Sequence, residues 1–200
     1  CKMDTIGIVT GFRYQNEIYK KAREAKQTDF YGNISDAAEL TEKKSSRPVL
    51  SMTMIPDGGN VTYGMTAKYA EHSTDENPVI QVSSNYGGKT VIYNVNIHEV
   101  NPNNASQLEM FALCAYSDDK GISDRGTFGS YQRMKVFGQN AEMNGYCQSL
   151  GGYENFLGAK FNWMNIVSRM MNDYLQAGIY KQYQQGTQLM GMFQYFAKAF

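Results

Sequence analysis

Few side chains in this sequence are suited to chemistry, and their spacing narrows the choice further. The two histidines, His72 and His98, fall in separate predicted elements, which removes schemes that need converging imidazoles as metal ligands or as a general base. His98 is followed by Glu99, but a histidine that closes a strand reads as a surface or turn residue. The three cysteines, Cys1, Cys114 and Cys147, are an odd number without a CxxC pair, so neither a complete disulfide framework nor a thiolate zinc site is written here. Cys114 lies in the apolar run LEMFALCAY and reads as a small buried hydrophobe. Asp118, Asp119, Ser123 and Asp124 crowd oxygen ligands into seven residues, the least that a weak calcium loop requires. They lack the DxDxDG order and closing glutamate of an EF-hand and read as a solvated helix end. Were the chain an enzyme, Cys147 or the carboxylates Asp118, Asp119 and Asp124 would have to carry the reaction.

No GxSxG, HExxH or GxGxxG segment occurs, which leaves the common nucleophile, metalloprotease and dinucleotide signatures unrepresented. Gly87-Gly88-Lys89-Thr90 imitates the end of a phosphate loop. The first glycine of that motif would fall at Ser83, however, and the tetrad sits in a hairpin turn instead of opening a helix. The expectation is a non-enzymatic protein that needs no cofactor and no metal. The 19 Lys and Arg balance 19 Asp and Glu, so nothing pulls the chain onto a polyphosphate by counterion release, and nucleic acid is not an expected partner.

Two sets of residues suit binding instead. The first is a methionine and aromatic set near the C-terminus: Trp163, Met164, Met170, Met171, Met190, Met192 and Phe193. Such side chains are over-used where a surface adapts to a protein partner or to a second copy, because the thioether is flexible and the rings carry large area. The second is Tyr63, Tyr69, Tyr86 and Tyr93 with Asn94 and Asn96 on the two hairpins. Rings that stack on sugar faces and amides that bind hydroxyls would make a small-ligand or glycan site, provided that those residues line a concave surface.

These residues must be positioned by an α+β fold. Residues 1–48 read as an N-terminal arm, a helix over 13–26 and a polar linker; residues 49–200 read as a single domain with its sheet over 49–97 and its helices over 105–198. VLSMTMI and VTYGMTAKY alternate around the turn PDGGN, and VIQVSS and KTVIYNVNI alternate around NYGG. This predicts two tandem hairpins in a four-stranded antiparallel meander, which is stable only if helices cover its apolar face. Ser106 and Glu109 have capping-box spacing at the start of a helix that should end before Gly121. A weaker helix is expected over 131–147. The stripe from Leu157 to Leu175 predicts one long helix over 154–177, stopped by Gly178 and folded back as a C-terminal helical hairpin.

No window approaches the 18 apolar residues of a membrane span. The string DFYGNISDAAEL, the paired hairpins and NIHEVNPNNASQLEMFALCAY resemble small proteins of gut Clostridia and related Firmicutes, over residues 3–180. No activity, substrate or catalytic residue comes with the resemblance. It implies a bacterial chain without a secretory signal of its own, cytoplasmic or exported by a dedicated machine. A lipid-modified Cys1 is the alternative address.

Overall fold

The computed structural model describes residues 48–56, 62–86, 89–123 and 129–197, all within one unit, Arg47–Phe200. The expected arm, the helix over 13–26 and most of the polar linker lie outside the described residues. Four strands, β1 (Ser51–Pro56), β2 (Thr62–Tyr69), β3 (Val79–Tyr86) and β4 (Lys89–Asn96), form one antiparallel meander in the order β1-β2-β3-β4. The alternation of side chains makes this sheet two-sided. Thr53, Ile55, Met65, Ala67, Ile80, Val82, Ser84 and Val95 are buried on one face, whereas Met52, Met54 and Ile92 stand exposed on the other.

A single 3-10 turn (Ile97–Glu99) leads from β4 into the helical layer: α1 (Gln107–Asp119), α2 (Gly129–Met143), α3 (Tyr153–Gly158), α4 (Trp163–Gln176) and α5 (Tyr180–Ala197). The α1 helix opens on the expected capping box, with Ser106 Oγ accepting from Glu109 N and the Glu109 carboxylate accepting from Ser106 N. It is buried around almost its whole circumference, through Leu108, Met110, Phe111, Ala112, Leu113, Cys114 and Ala115, because the sheet packs on one side of it and α2 and α3 on others. A helix that is apolar all round belongs in the middle of a fold, and α1 is that helix.

The long helix expected over 154–177 is instead two, α3 and α4, interrupted at residues 159–162. There Phe161 forms a two-way bridge with Ala105, Ala105 N to Phe161 O at 3.1 Å and Phe161 N to Ala105 O at 3.0 Å. The Trp163 indole donates to the same Ala105 carbonyl at 2.9 Å. Asn162 then caps α4 by accepting from Asn165 N. Among the described residues the longest helix is α5, with 18 residues. The helix expected over 131–147 is α2; it ends at Met143, ahead of Gly145 at φ 71°. Gly178 does stop α4, at φ 70°, and α5 folds back along α4 as a hairpin.

Two helical glycines allow this tight packing. A Cβ on Gly138 would stand 2.6 Å from Leu150 Cδ1 and 3.1 Å from Trp163 Cζ3. One on Gly186 of α5 would overlap Met171 and stand 2.9 Å from Phe137 Cε1.

Candidate interaction surface

The methionine and aromatic set does not form an exposed contact. Trp163, Met170, Met192 and Phe193 are fully buried, and Met164, Met171 and Met190 are half-buried against the same core. The apolar surplus on residues 156–175 is consumed because α4 packs on both α2 and α5, and α5 also touches α2. Each helix therefore needs more than one stripe.

The hairpin tyrosines are corrected in the same sense. Tyr63, Tyr69 and Tyr93 share the parity of Met65, Ala67 and Val95, so they point under the helices and not to solvent. Tyr63 packs its ring 5.0 Å from that of Tyr153. The Tyr69 hydroxyl donates to Asp119 Oδ2 at 2.7 Å, and burial followed by that carboxylate pushes its pKa well up. The Tyr93 and Tyr153 hydroxyls meet at 3.3 Å; burial, then this hydrogen bond, raises the Tyr93 pKa to about 12. Asn96 is a capping group, its Oδ1 accepting from His98 N at 3.1 Å and its Nδ2 donating to Glu99 at 3.2 Å. Asn94 alone of this set is exposed on the open face of the sheet; the side chain of Tyr86 lies outside the described residues.

The remaining candidates for chemistry are committed to structure. Burial pushes the Cys114 thiol far up and the Cys147 thiol up as well, which is the opposite of an activated nucleophile. Asp118 is a staple for the start of α2: it accepts from Ser130 N at 2.9 Å, from Ser130 Oγ at 2.6 Å and from Ser123 Oγ. Asp119 serves Tyr69 instead, and Asp124 lies outside the described residues. Among the described residues no group of three His, Cys, Asp or Glu is placed to hold a metal, and no helix is long and apolar enough to cross a membrane. His98 borders an open cavity of about 240 Å³ with Ile97, Tyr116, Ile122, Tyr195 and Phe196. The side chains of its lining that carry polar groups are that imidazole and the two tyrosines; the rest are apolar.

Among the described residues, the sheet keeps one face and one edge without a covering element. The open face carries the cross-strand row Met52, Thr66, Ser83 and Ile92, with the Thr66 and Ser83 hydroxyls bonded at 2.7 Å in its centre. Met52 is 48% exposed and Ile92 54%, so the apolar groups of this row sit on the two edge strands.

The two edges differ. Prolines stand just before β1 at Pro48 and as its last residue at Pro56, each without an N–H to offer. The ladder is irregular at its start, where Leu50 N donates to Ala67 O although Ser51 is the register partner of Ala67. Lys135 of α2 donates to the Met54 carbonyl at 3.1 Å, its ammonium pKa pushed down by burial. These are the devices by which natural edges are blunted.

Along β4 there is no proline and no irregularity: its eight residues pair in unbroken register, Tyr86↔Lys89 to Val79↔Asn96. Ile97 N donates to Pro78 O at 3.0 Å, which fixes the parity of the ladder. In an antiparallel pair alternate residues turn their N–H and C=O toward the neighbour. Lys89, Val91, Tyr93 and Val95 therefore bond β3, while Thr90, Ile92 and Asn94 turn theirs outward, where no strand lies among the described residues. The alternation of residues 89–97 gives the strand and its faces, but which of its residues turn their backbone outward is set by the pairing with β3, which no local pattern encodes. No family model matches the chain, and no curated protein or solved structure shows significant similarity to it.

Proposed function

We propose that this protein is a binding module without catalytic chemistry of its own, which engages a protein partner by strand addition to the outer edge of β4. One observation carries the reading: Thr90, Ile92 and Asn94 present backbone donors and acceptors in a regular row on an edge that no strand covers among the described residues, while the opposite edge is blunted by prolines and a lysine. A row of this kind recognises any extended chain through its main-chain groups. Ile92, exposed beside the row, adds an apolar contact on the open face. The inert thiols and the saturated Asp118 support a role in binding over one in catalysis.

Amide hydrogen exchange followed by NMR tests the reading, with a lysine-flanked octapeptide of alternating Thr and Val as the probe strand and the protein kept dilute. The amides of Thr90, Ile92 and Asn94 should exchange fast in the free chain and slow when peptide is added, while those of Val91, Tyr93 and Val95 stay protected throughout. Unchanged exchange at the three outward amides under saturating peptide would remove strand addition as the function.

A further inference from the structure

We infer that the open cavity at the ends of α1 and α5 is a binding site for a trimethylammonium group. Three of its six lining residues carry phenyl or phenol rings: Tyr116 from the last turn of α1, and Tyr195 and Phe196 from the last turn of α5. Phe196 is buried, Tyr116 half-buried and Tyr195 62% exposed, so the rings lead from the core to the mouth. The Tyr116 ring stands 6.3 Å from that of Phe196 at 67°, and the Tyr195 ring 5.1 Å from it at 83°. Two rings set steeply against a third make a corner and not a slot. A flat ligand would lie along one of them, whereas a rounded group in the corner meets all three.

Charge and size narrow the group further. The face of an aromatic ring is its negative part, and a cation gains from lying within about 6 Å of the ring centroid. Among the described residues the lining holds no carboxylate to accept the hydrogen bonds of a bare ammonium, and no lysine or arginine to repel a cation. A methylated ammonium has no such bonds to satisfy, and Ile97 and Ile122 of the same lining suit its methyl groups. Lys120 Nζ stands 5.9 Å from the Tyr116 centroid but is not part of the lining, and Asp75 answers its charge at 2.9 Å. The volume is about 240 Å³. That exceeds the cavity of about 150 Å³ that takes up a benzene molecule and falls short of the pockets of about 300 Å³ and more that hold drug-sized ligands. The ligand is therefore a head group with a short tail, and exposed His98 is placed on the lining to meet a polar tail.

The test is an NMR titration of the full chain with choline chloride to about 50 mM, against sodium chloride of equal ionic strength; a Kd of about 1 mM is expected of so small a ligand. The side-chain signals of Tyr195 and Phe196 should shift and saturate. The deciding comparison is 3,3-dimethylbutan-1-ol, in which carbon replaces the charged nitrogen at the same shape. It should bind at least about tenfold more weakly, because it forgoes the attraction of a cation to the ring faces. Tyr195→Leu keeps apolar bulk at an exposed position and removes one ring. It should weaken choline at least about threefold and leave the neutral alcohol within about twofold. Shifts that do not saturate, an alcohol that binds as well as choline, or a leucine variant that binds choline like the native chain would each overturn the inference. Cosedimentation with phosphatidylcholine vesicles separates the sources of the group. A choline-binding chain that pellets with them reads a lipid headgroup, and one that stays in the supernatant reads a free cation; both outcomes keep the site.

Discussion

Gly186 sets two physical effects against each other, and their magnitudes predict the winner. In the interior of α5, helix propensity favours alanine over glycine by about 1 kcal/mol. Yet the added methyl would overlap Met171 on one side and stand 2.9 Å from the ring carbon Cε1 of Phe137 on the other. Met171 is half-buried and flexible and is able to yield; Phe137 is fully buried and edge-on to Tyr174 at 5.4 Å, so its ring is not. Overpacking of this kind costs about 1–3 kcal/mol, and for Gly186→Ala the net expectation is a loss of about 0–2 kcal/mol after the propensity gain. Gly191 is the internal control: it lies in the same helix with nothing within 4 Å of a built Cβ. Gly191→Ala should gain about 0.5–1 kcal/mol, the propensity term alone. Urea melts of the two variants beside the native chain give both values, and Met171→Ala added to Gly186→Ala should recover part of the loss. A Gly186→Ala protein as stable as Gly191→Ala would mean that α4 and α5 are not in the close contact described, and the account of the C-terminal methionines as core would go with it.

Phe111, fully buried and 5.0 Å from the Tyr131 ring, should cost about 3–5 kcal/mol when replaced by alanine, and Phe193→Ala a similar amount; urea melts in which the second substitution is silent would return α5 to the surface. Ser106→Ala should cost about 1 kcal/mol by removing the α1 cap, read in the same way. Burial works against the Glu109 charge, but the donors Lys160 and Ser106 outweigh it and hold its folded pKa below the ordinary 4.5. The stability contributed by this carboxylate is therefore complete above pH 4.5 and lost as pH falls through the lower folded value; Lys160→Met should flatten that part of the profile of melting temperature against pH. Burial keeps the Cys114 thiol protonated, so a thiol reagent should reach it only in denaturant, and rapid labelling in the native state, located by mass spectrometry, would contradict its place in the core.

The parts of this fold that could be read from residue order are those set by neighbours in the chain. Period-two alternation over 49–97 marks the strands because the sheet is covered on one face only, and Ser106 with Glu109 marks the start of α1 because both partners of the box lie within one turn. The break between α3 and α4 is of another kind. Phe161 leaves the helical path to pair with Ala105, 56 positions earlier, and no local pattern encodes such a partner. The apolar surplus of the C-terminal helices was visible, but whether it meets solvent or a third helix depends on how α2, α4 and α5 share one core. Tyr63, Tyr69 and Tyr93 fall on a single face by alternation alone; which face the helices cover is decided by the chain after residue 100.

Trp163 is the single tryptophan of the chain, and its indole is tied to the Ala105 carbonyl across 58 positions. Its fluorescence is thus a reporter of one long-range closure and not of helix formation nearby. Closing a loop of that length is entropically costly and is made late relative to local turns. In a refolding experiment the far-ultraviolet signal of α1 and α2 should recover ahead of the tryptophan signal. During synthesis the consequence is temporal: a nascent chain can lay down the meander and α1, but it has nothing to seal Ala105 with until residue 163 has left the ribosome.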